Sequence, residues 1–89
     1  MIYMAENNGQ QIGKITHYFS NINVGIVELS DSLKVGDKIK IKGHSTDLEE
    51  DVKSIQIDHK DVDEAKIGDT VGLEVTDKVR VGDVVYKIA

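Results

Sequence analysis

An all-β fold is predicted by three features of this 89-residue sequence. Apolar residues gather in short runs rich in valine and isoleucine, the runs are bounded by Gly, Asp, Asn or Ser, and no long segment carries the 3.6-residue period of a helix. Proline is absent, so the turns fall to glycine, aspartate and asparagine, which tolerate positive φ.

The first strand is read over residues 12–20, with Ile15, His17 and Phe19 as one alternating set and Lys14, Thr16 and Tyr18 as the other. Asn21-Ile22-Asn23 makes a turn, and residues 24–29 form the second strand. Residues 38–42 alternate most cleanly, with Ile39 and Ile41 inward and Lys38, Lys40 and Lys42 outward, and Gly43 ends the run. Segments 52–58, 71–76 and 84–88 bring the total to six strands, spaced as in a barrel or a sandwich. Closing a barrel would remove free strand edges. Residues 47–51 and 61–66 each have the composition of one helical turn capped by aspartate, too short to stand as a helix alone.

A three-residue signal recurs before strands: Val35-Gly36-Asp37, Ile67-Gly68-Asp69 and Val81-Gly82-Asp83. Each combines an apolar anchor, a glycine free to turn and an aspartate able to bond the backbone two residues on, and the repeat is read as turn chemistry.

The length suits one domain with one core, placed at residues 11–89 behind an N-terminal tail over 1–10, read as disordered or as an edge strand. With no cysteine there is neither a disulfide framework nor a thiolate metal site, which fits a reducing cytoplasm. The opening Met1-Ile2-Tyr3-Met4-Ala5 is neither basic at its start nor apolar for long enough to be a signal peptide or a span, so a cytoplasmic protein without membrane contact is expected. Sixteen acidic against eleven basic side chains give a formal charge of -5, and Arg80 is the only arginine. That balance weakens a general nucleic-acid reading and leaves room for a local basic stripe.

The order of signals carries a resemblance. Gly13-Lys14-Ile15 opens a strand, Val24-Gly25-Ile26-Val27 follows, then Leu33-Lys34-Val35-Gly36-Asp37-Lys38-Ile39-Lys40-Ile41, Val52-Lys53-Ser54-Ile55-Gln56, the stretch from Val62 to Leu73, and Val81-Gly82-Asp83-Val84-Val85. Over residues 12–88 this series resembles the β-barrel second domain of elongation factor Tu and related translational GTPases. The segments Gly13 to Phe19, Lys42 to Asp47 and Ser54 to Ile57 are similar to small stand-alone translation elongation factor-like proteins, and a comparable module is found appended to some collagenase-type peptidases. The resemblance implies a closed six-stranded antiparallel Greek-key barrel that contacts RNA, the ribosome or a neighbouring protein domain. Two departures stand out. There is no Gly-x-x-x-x-Gly-Lys-Ser/Thr loop, which excludes guanine-nucleotide binding by that route. Glu28-Leu29-Ser30-Asp31 stands where the family pattern often has Gly-Arg-Val-Glu, so a basic residue is missing.

Candidate binding residues fall in two groups. Lys38, Lys40 and Lys42 form a basic stripe, joined by Lys14 and Lys53, with Tyr18 as a stacking surface beside it. The loop Gly43-His44-Ser45-Thr46-Asp47 gathers an imidazole, two hydroxyls and a carboxylate next to a glycine, the composition of a loop site on a rigid scaffold. No catalytic residue is assigned: Ser45 and His44 are adjacent and point apart, and no nucleophile elbow surrounds them. No metal site or cofactor is assigned either, since His17, His44 and His59 are scattered and the acidic clusters at 49–51 and 58–64 lack the spacing of a calcium loop. His17 is read as a partly buried strand residue.

Two functions are weighed. The first is a non-enzymatic binding module docking on RNA, a ribosomal component or a partner protein. The second is an accessory protein or subunit of an enzyme such as a collagenase-type peptidase.

Overall fold

Branched side chains pack well on a pleated surface, and the valine- and isoleucine-rich runs become strands accordingly. The computed structural model describes residues 10–88, with ten strands: β1 (Gln10–Phe19), β2 (Val24–Leu29), β3 (Leu33–Lys34), β4 (Lys38–Lys42), β5 (Asp47–Asp51), β6 (Ile55–Ile57), β7 (Lys60–Val62), β8 (Glu64–Ala65), β9 (Thr70–Glu74) and β10 (Val84–Ile88). The fold is all-β, with no helix among the described residues. The expected tail over 1–10 lies outside them except for Gln10, the first residue of β1.

Eight strands make one antiparallel sheet in the order β5-β4-β10-β1-β2-β9-β6-β7, and β3 with β8 makes a separate two-stranded ribbon. The expected closed six-stranded barrel is corrected on two counts. The sheet has more strands, and its two ends, β5 and β7, do not pair with each other, so it is not closed. The segments read as helical turns supply the difference: 47–51 is β5, and 61–66 runs through β7 and β8. In β5, Leu48 and Glu50 are half-buried between exposed acids, the period of a strand and not of a helix. Both edge strands are rich in charge, Asp47, Glu49, Glu50 and Asp51 on β5 and Lys60 and Asp61 on β7, which discourages pairing with another chain.

One face of the large sheet supplies most of the core. Ile12, Ile15, Val27, Ile39, Ile41, Ile55, Val71, Leu73 and Val85 are all at most 2% exposed and join Leu33 and Ala65 of the ribbon in a single cluster. For residues so far apart along the strand order to meet, the sheet must roll around them.

β1 carries two bulges, which invert the expected facing of its second half. The register slips between Gln11 and Gly13 against β10, and between Ile15 and His17 against β2. Each extra residue shifts the alternation by one. Ile12 and Ile15, three apart, are therefore both buried, while Tyr18 packs against the core and His17 and Phe19 face outward. His17 is thus exposed, its ring stacked on Phe19 with centroids 6.4 Å apart.

The recurring Gly-Asp signals form three copies of one turn. Gly36, Gly68 and Gly82 have φ of 98°, 90° and 96°. The Asp37, Asp69 and Asp83 N–H groups donate back to the carbonyls of Lys34, Lys66 and Arg80 at 3.1, 3.0 and 3.0 Å. Positive φ at the third position is the requirement of a type II turn. The aspartate side chains close each turn backward, accepting from the N–H of Lys34, Lys66 and Arg80 at 2.9, 2.8 and 2.8 Å. The apolar residue of each signal is not an anchor: Val35, Ile67 and Val81 are 41%, 71% and 68% exposed at the turn tips.

The β6–β7 hairpin turns through Asp58 and His59, with φ of 53° and 65°. Two consecutive left-handed residues suit Asn-Gly or Asp-Gly far better than Asp-His. His59→Gly is therefore expected to raise stability by about 0.5–1 kcal/mol, read as a higher urea midpoint at unchanged slope; a lower midpoint would contradict the turn geometry.

Candidate functional site

The lysine stripe exists, and the structure sets an acidic stripe against it. Lys38, Lys40 and Lys42 on β4 stand opposite Asp51, Glu49 and Asp47 on β5. The Val52 N–H bonds the Asp37 carbonyl and the Gly43 N–H bonds the Thr46 carbonyl, both at 2.8 Å, so 37/52 and 43/46 are hydrogen-bonded pairs. Alternation then makes each Lys–acid couple a non-hydrogen-bonded pair, the position where facing side chains come closest. Lys40 Nζ lies 3.9 Å from Asp47 Oδ1. A stripe matched one for one by carboxylates offers little net field to a phosphate backbone. Tyr18 does not join it, because it points into the core and donates its hydroxyl to Asn23 Oδ1 at 3.2 Å.

The 43–47 loop is the tight closure of the β4–β5 hairpin. His44, Ser45 and Asp47 are exposed, Thr46 is buried, and among the described residues no hydrogen bond joins His44, Ser45 and Asp47. Gly43 packs on the Asp83 carboxylate, which is 4% exposed and held by the Arg80 N–H. The loop residues are thus placed by hairpin geometry, and they do not converge on a point. Among the described residues no group of three or more His, Asp or Glu side chains could hold a metal ion.

A different surface is assembled on the outer face of β2, β9 and β6. Val24 and Ile26 of β2 pair with Glu74 and Gly72 of β9, and Gly72 pairs with Gln56 of β6. Because Gly72 has no side chain, it leaves a hollow of about 280 Å³ between Phe19 and Ile22 on one bank and Asp58 and His59 on the other. Phe19 and Ile22 are 46% and 57% exposed. A second hollow of about 210 Å³ shares Val24, Gln56 and Gly72 with the first and extends it to Ser54 and Glu74. Beyond Glu74 the groove reaches Glu50, Lys53 and Thr76. One end is therefore apolar along the Phe19 and Ile22 bank and faces Asp58 and His59 across the hollow, and the other carries Glu50 and Glu74 beside Lys53.

Glu50 faces that acidic end, accepting the Thr76 N–H at 3.3 Å. Burial pushes its carboxyl above the usual carboxylate range and the Glu74 charge adds to this, while the Thr76 hydrogen bond and the Lys53 ammonium work against it. The native state thus holds this proton more tightly than the unfolded chain does, so Glu50 lowers stability as pH rises through the carboxylate range. Glu50→Gln keeps the acceptor and removes the charge. Its urea midpoint is expected to exceed that of the parent at neutral pH, with the advantage vanishing as pH falls below the ordinary carboxylate value; an advantage that persists in acid would refute this origin.

The groove was only faintly visible in the sequence. Gly72 within a strand is a known sign of a bulge or a close approach, but in the sequence Phe19 alternates on one strand face with Ile15 and His17, and Ile22 lies in a turn.

Comparisons with known proteins bear on both readings of function. No family model matches the chain. The chain is 46% identical over 77 residues to an uncharacterized protease of Methanocaldococcus jannaschii; the match covers 85% of this chain and 19% of that protein. Among solved structures, the C-terminal domain of a Geobacillus thermoleovorans protein described as a U32 peptidase superposes with a TM-score of 0.83 over 100% of both chains at 13% identity. Its selenomethionine variant gives a TM-score of 0.83 at 15% identity, over 88% of this chain and 99% of that one. The fold of the chain resembles that of this C-terminal domain.

These findings overturn the resemblance to the second domain of elongation factor Tu and to stand-alone translation elongation factor-like proteins, and with it the expectation of RNA binding. The ordered series behind it consists largely of type II turns and alternating strands, which any small antiparallel sheet can reuse. The peptidase-related alternative gains support. The chain spans about a fifth of the length of the protease it matches. Among the described residues no helix is long and apolar enough to cross a membrane.

Proposed function

We propose that this chain is a non-catalytic accessory module of a peptidase, working as its partner or subunit to position polypeptide substrate or to assemble the enzyme. The observation that carries this reading is the 46% identity to a segment making up 19% of a protease. A unit so small beside the whole leaves most of that protein to hold the catalytic groups. The present chain supports the reading in its own chemistry: His44, Ser45 and Asp47 stand apart, and the charged β4–β5 surface is internally matched. The absence of cysteine suits a reducing cytoplasm.

The test uses the Methanocaldococcus protease with its matching segment removed. The chain added in trans is expected to bind the truncated enzyme and to raise its hydrolysis of an unfolded polypeptide, while the chain alone hydrolyses nothing. Turnover by the chain alone, or no effect on the truncated enzyme, would refute the proposal.

A further inference from the structure

Side chains on one face of an extended chain recur every second residue, about 7 Å apart. The outer face of β9 presents a frame with that repeat: Gly72, whose missing side chain opens the apolar hollow, and Glu74 two residues on, at the acidic end. We propose that this groove binds an extended segment of the peptidase's polypeptide substrate, one that lays an aliphatic side chain over Gly72 and a lysine or arginine two residues along against Glu74 and Glu50.

The inference rests on the accessory-module reading and adds to it a surface and a sequence preference. Charge favours a cation at the acidic end, where among the described lining residues two carboxylates, Glu50 and Glu74, stand with one ammonium, that of Lys53. An incoming cation would offset the repulsion between them and the burial of Glu50. Shape favours a single aliphatic side chain at the other end. Phe19 and Ile22 stand at one margin and Gly72 forms its floor with Val24 and Ile26, while Asp58 and His59 stand at the opposite margin. The size of the patch favours a substrate over a permanent partner. The hollow is lined by nine residues, four of them apolar, where a specific stable interface engages roughly 20–30 residues a side. Weak, transient engagement of a passing chain is what such a surface provides.

The probe is the blocked peptide Gly-Ser-Leu-Ser-Arg-Ser-Gly, titrated into the isotope-labelled full chain and followed by amide chemical shifts. Saturable shifts are expected at Val24, Gly72 and Glu74. Binding should weaken about tenfold when the peptide's leucine becomes serine or its arginine becomes glutamate. Gly72→Ala and Glu74→Gln should each weaken it roughly fivefold. Gly72→Ala should fold normally, since a Cβ there would meet Val24 Cγ1 at 3.4 Å and Ile26 Cδ1 at 3.7 Å. Shifts centred elsewhere, no saturation, or equal binding of the control peptides would overturn the proposal. So would displacement by the peptide of a second copy of the chain, or of the truncated protease, because the groove would then be an assembly surface. If peptide binding fails while stimulation in trans persists, the accessory reading stands without this groove; if stimulation alone fails, the groove remains a peptide site of another system.

Discussion

Replacing Gly43 with alanine is expected to destabilise the domain by about 2–3 kcal/mol, lowering its melting temperature by roughly 10 °C or more. A Cβ at this position would lie 1.9 Å from Asp83 Oδ1 and 2.7 Å from its Cγ. The carboxylate has nowhere to retreat at low cost. Asp83 is 4% exposed, and Oδ2 accepts the Arg80 N–H at 2.8 Å to close the last of the three type II turns. Swinging the side chain aside would open that turn and leave the part-buried Arg80 N–H without its partner. Asp83→Ala removes the obstacle as well as the turn closure, so the double variant should lose less than the sum of the two single losses, by about 1 kcal/mol or more. Additive losses in urea unfolding would show that the contact is not what demands glycine.

Ile41→Ala is expected to be comparably severe, costing about 2–5 kcal/mol, whereas Lys42→Ala next to it should cost less than about 1 kcal/mol. Ile41 is fully buried and stands in the ladder between Val85 on β10 and Leu48 on β5, so truncation leaves a cavity in the apolar core. Lys42 points the opposite way, exposed and in register with Asp47, whose ion pair is with Lys40. Similar losses for the two variants would mean that the alternation along β4 does not separate core from solvent.

That alternation is the most legible part of the molecule, because it depends on nothing beyond the period of a pleated strand. The three Gly-Asp turns are legible for a similar reason: a type II turn needs positive φ at one residue, and glycine supplies it within four residues of chain. Even there the direction of the aspartate's bond, back to the residue three before it, and the exposure of Val35, Ile67 and Val81 emerge only from the fold. The facing of His17, Tyr18 and Phe19 could not be read locally. The bulge between Ile15 and His17 is defined by the partner strand, which offers one fewer residue over the same span.

The candidate site divides in the same way. The basic stripe of Lys38, Lys40 and Lys42 is a property of one strand and was plain in the sequence. Its matching by Asp51, Glu49 and Asp47 required knowing that 47–51 is a strand and that it pairs with β4 in this register. The groove joins the β1–β2 hairpin to β9 and the β6–β7 turn, which lie some thirty or more residues further along the chain, and its floor is a missing side chain. The all-β class, the position of the turns and the inward isoleucines of β4 follow from the chemistry of a few consecutive residues, and so can be read along the chain. That the sheet stays open, that the lysines of β4 stand opposite acids and that a groove crosses Gly72 depends on which distant strands lie side by side, and so emerges with the fold.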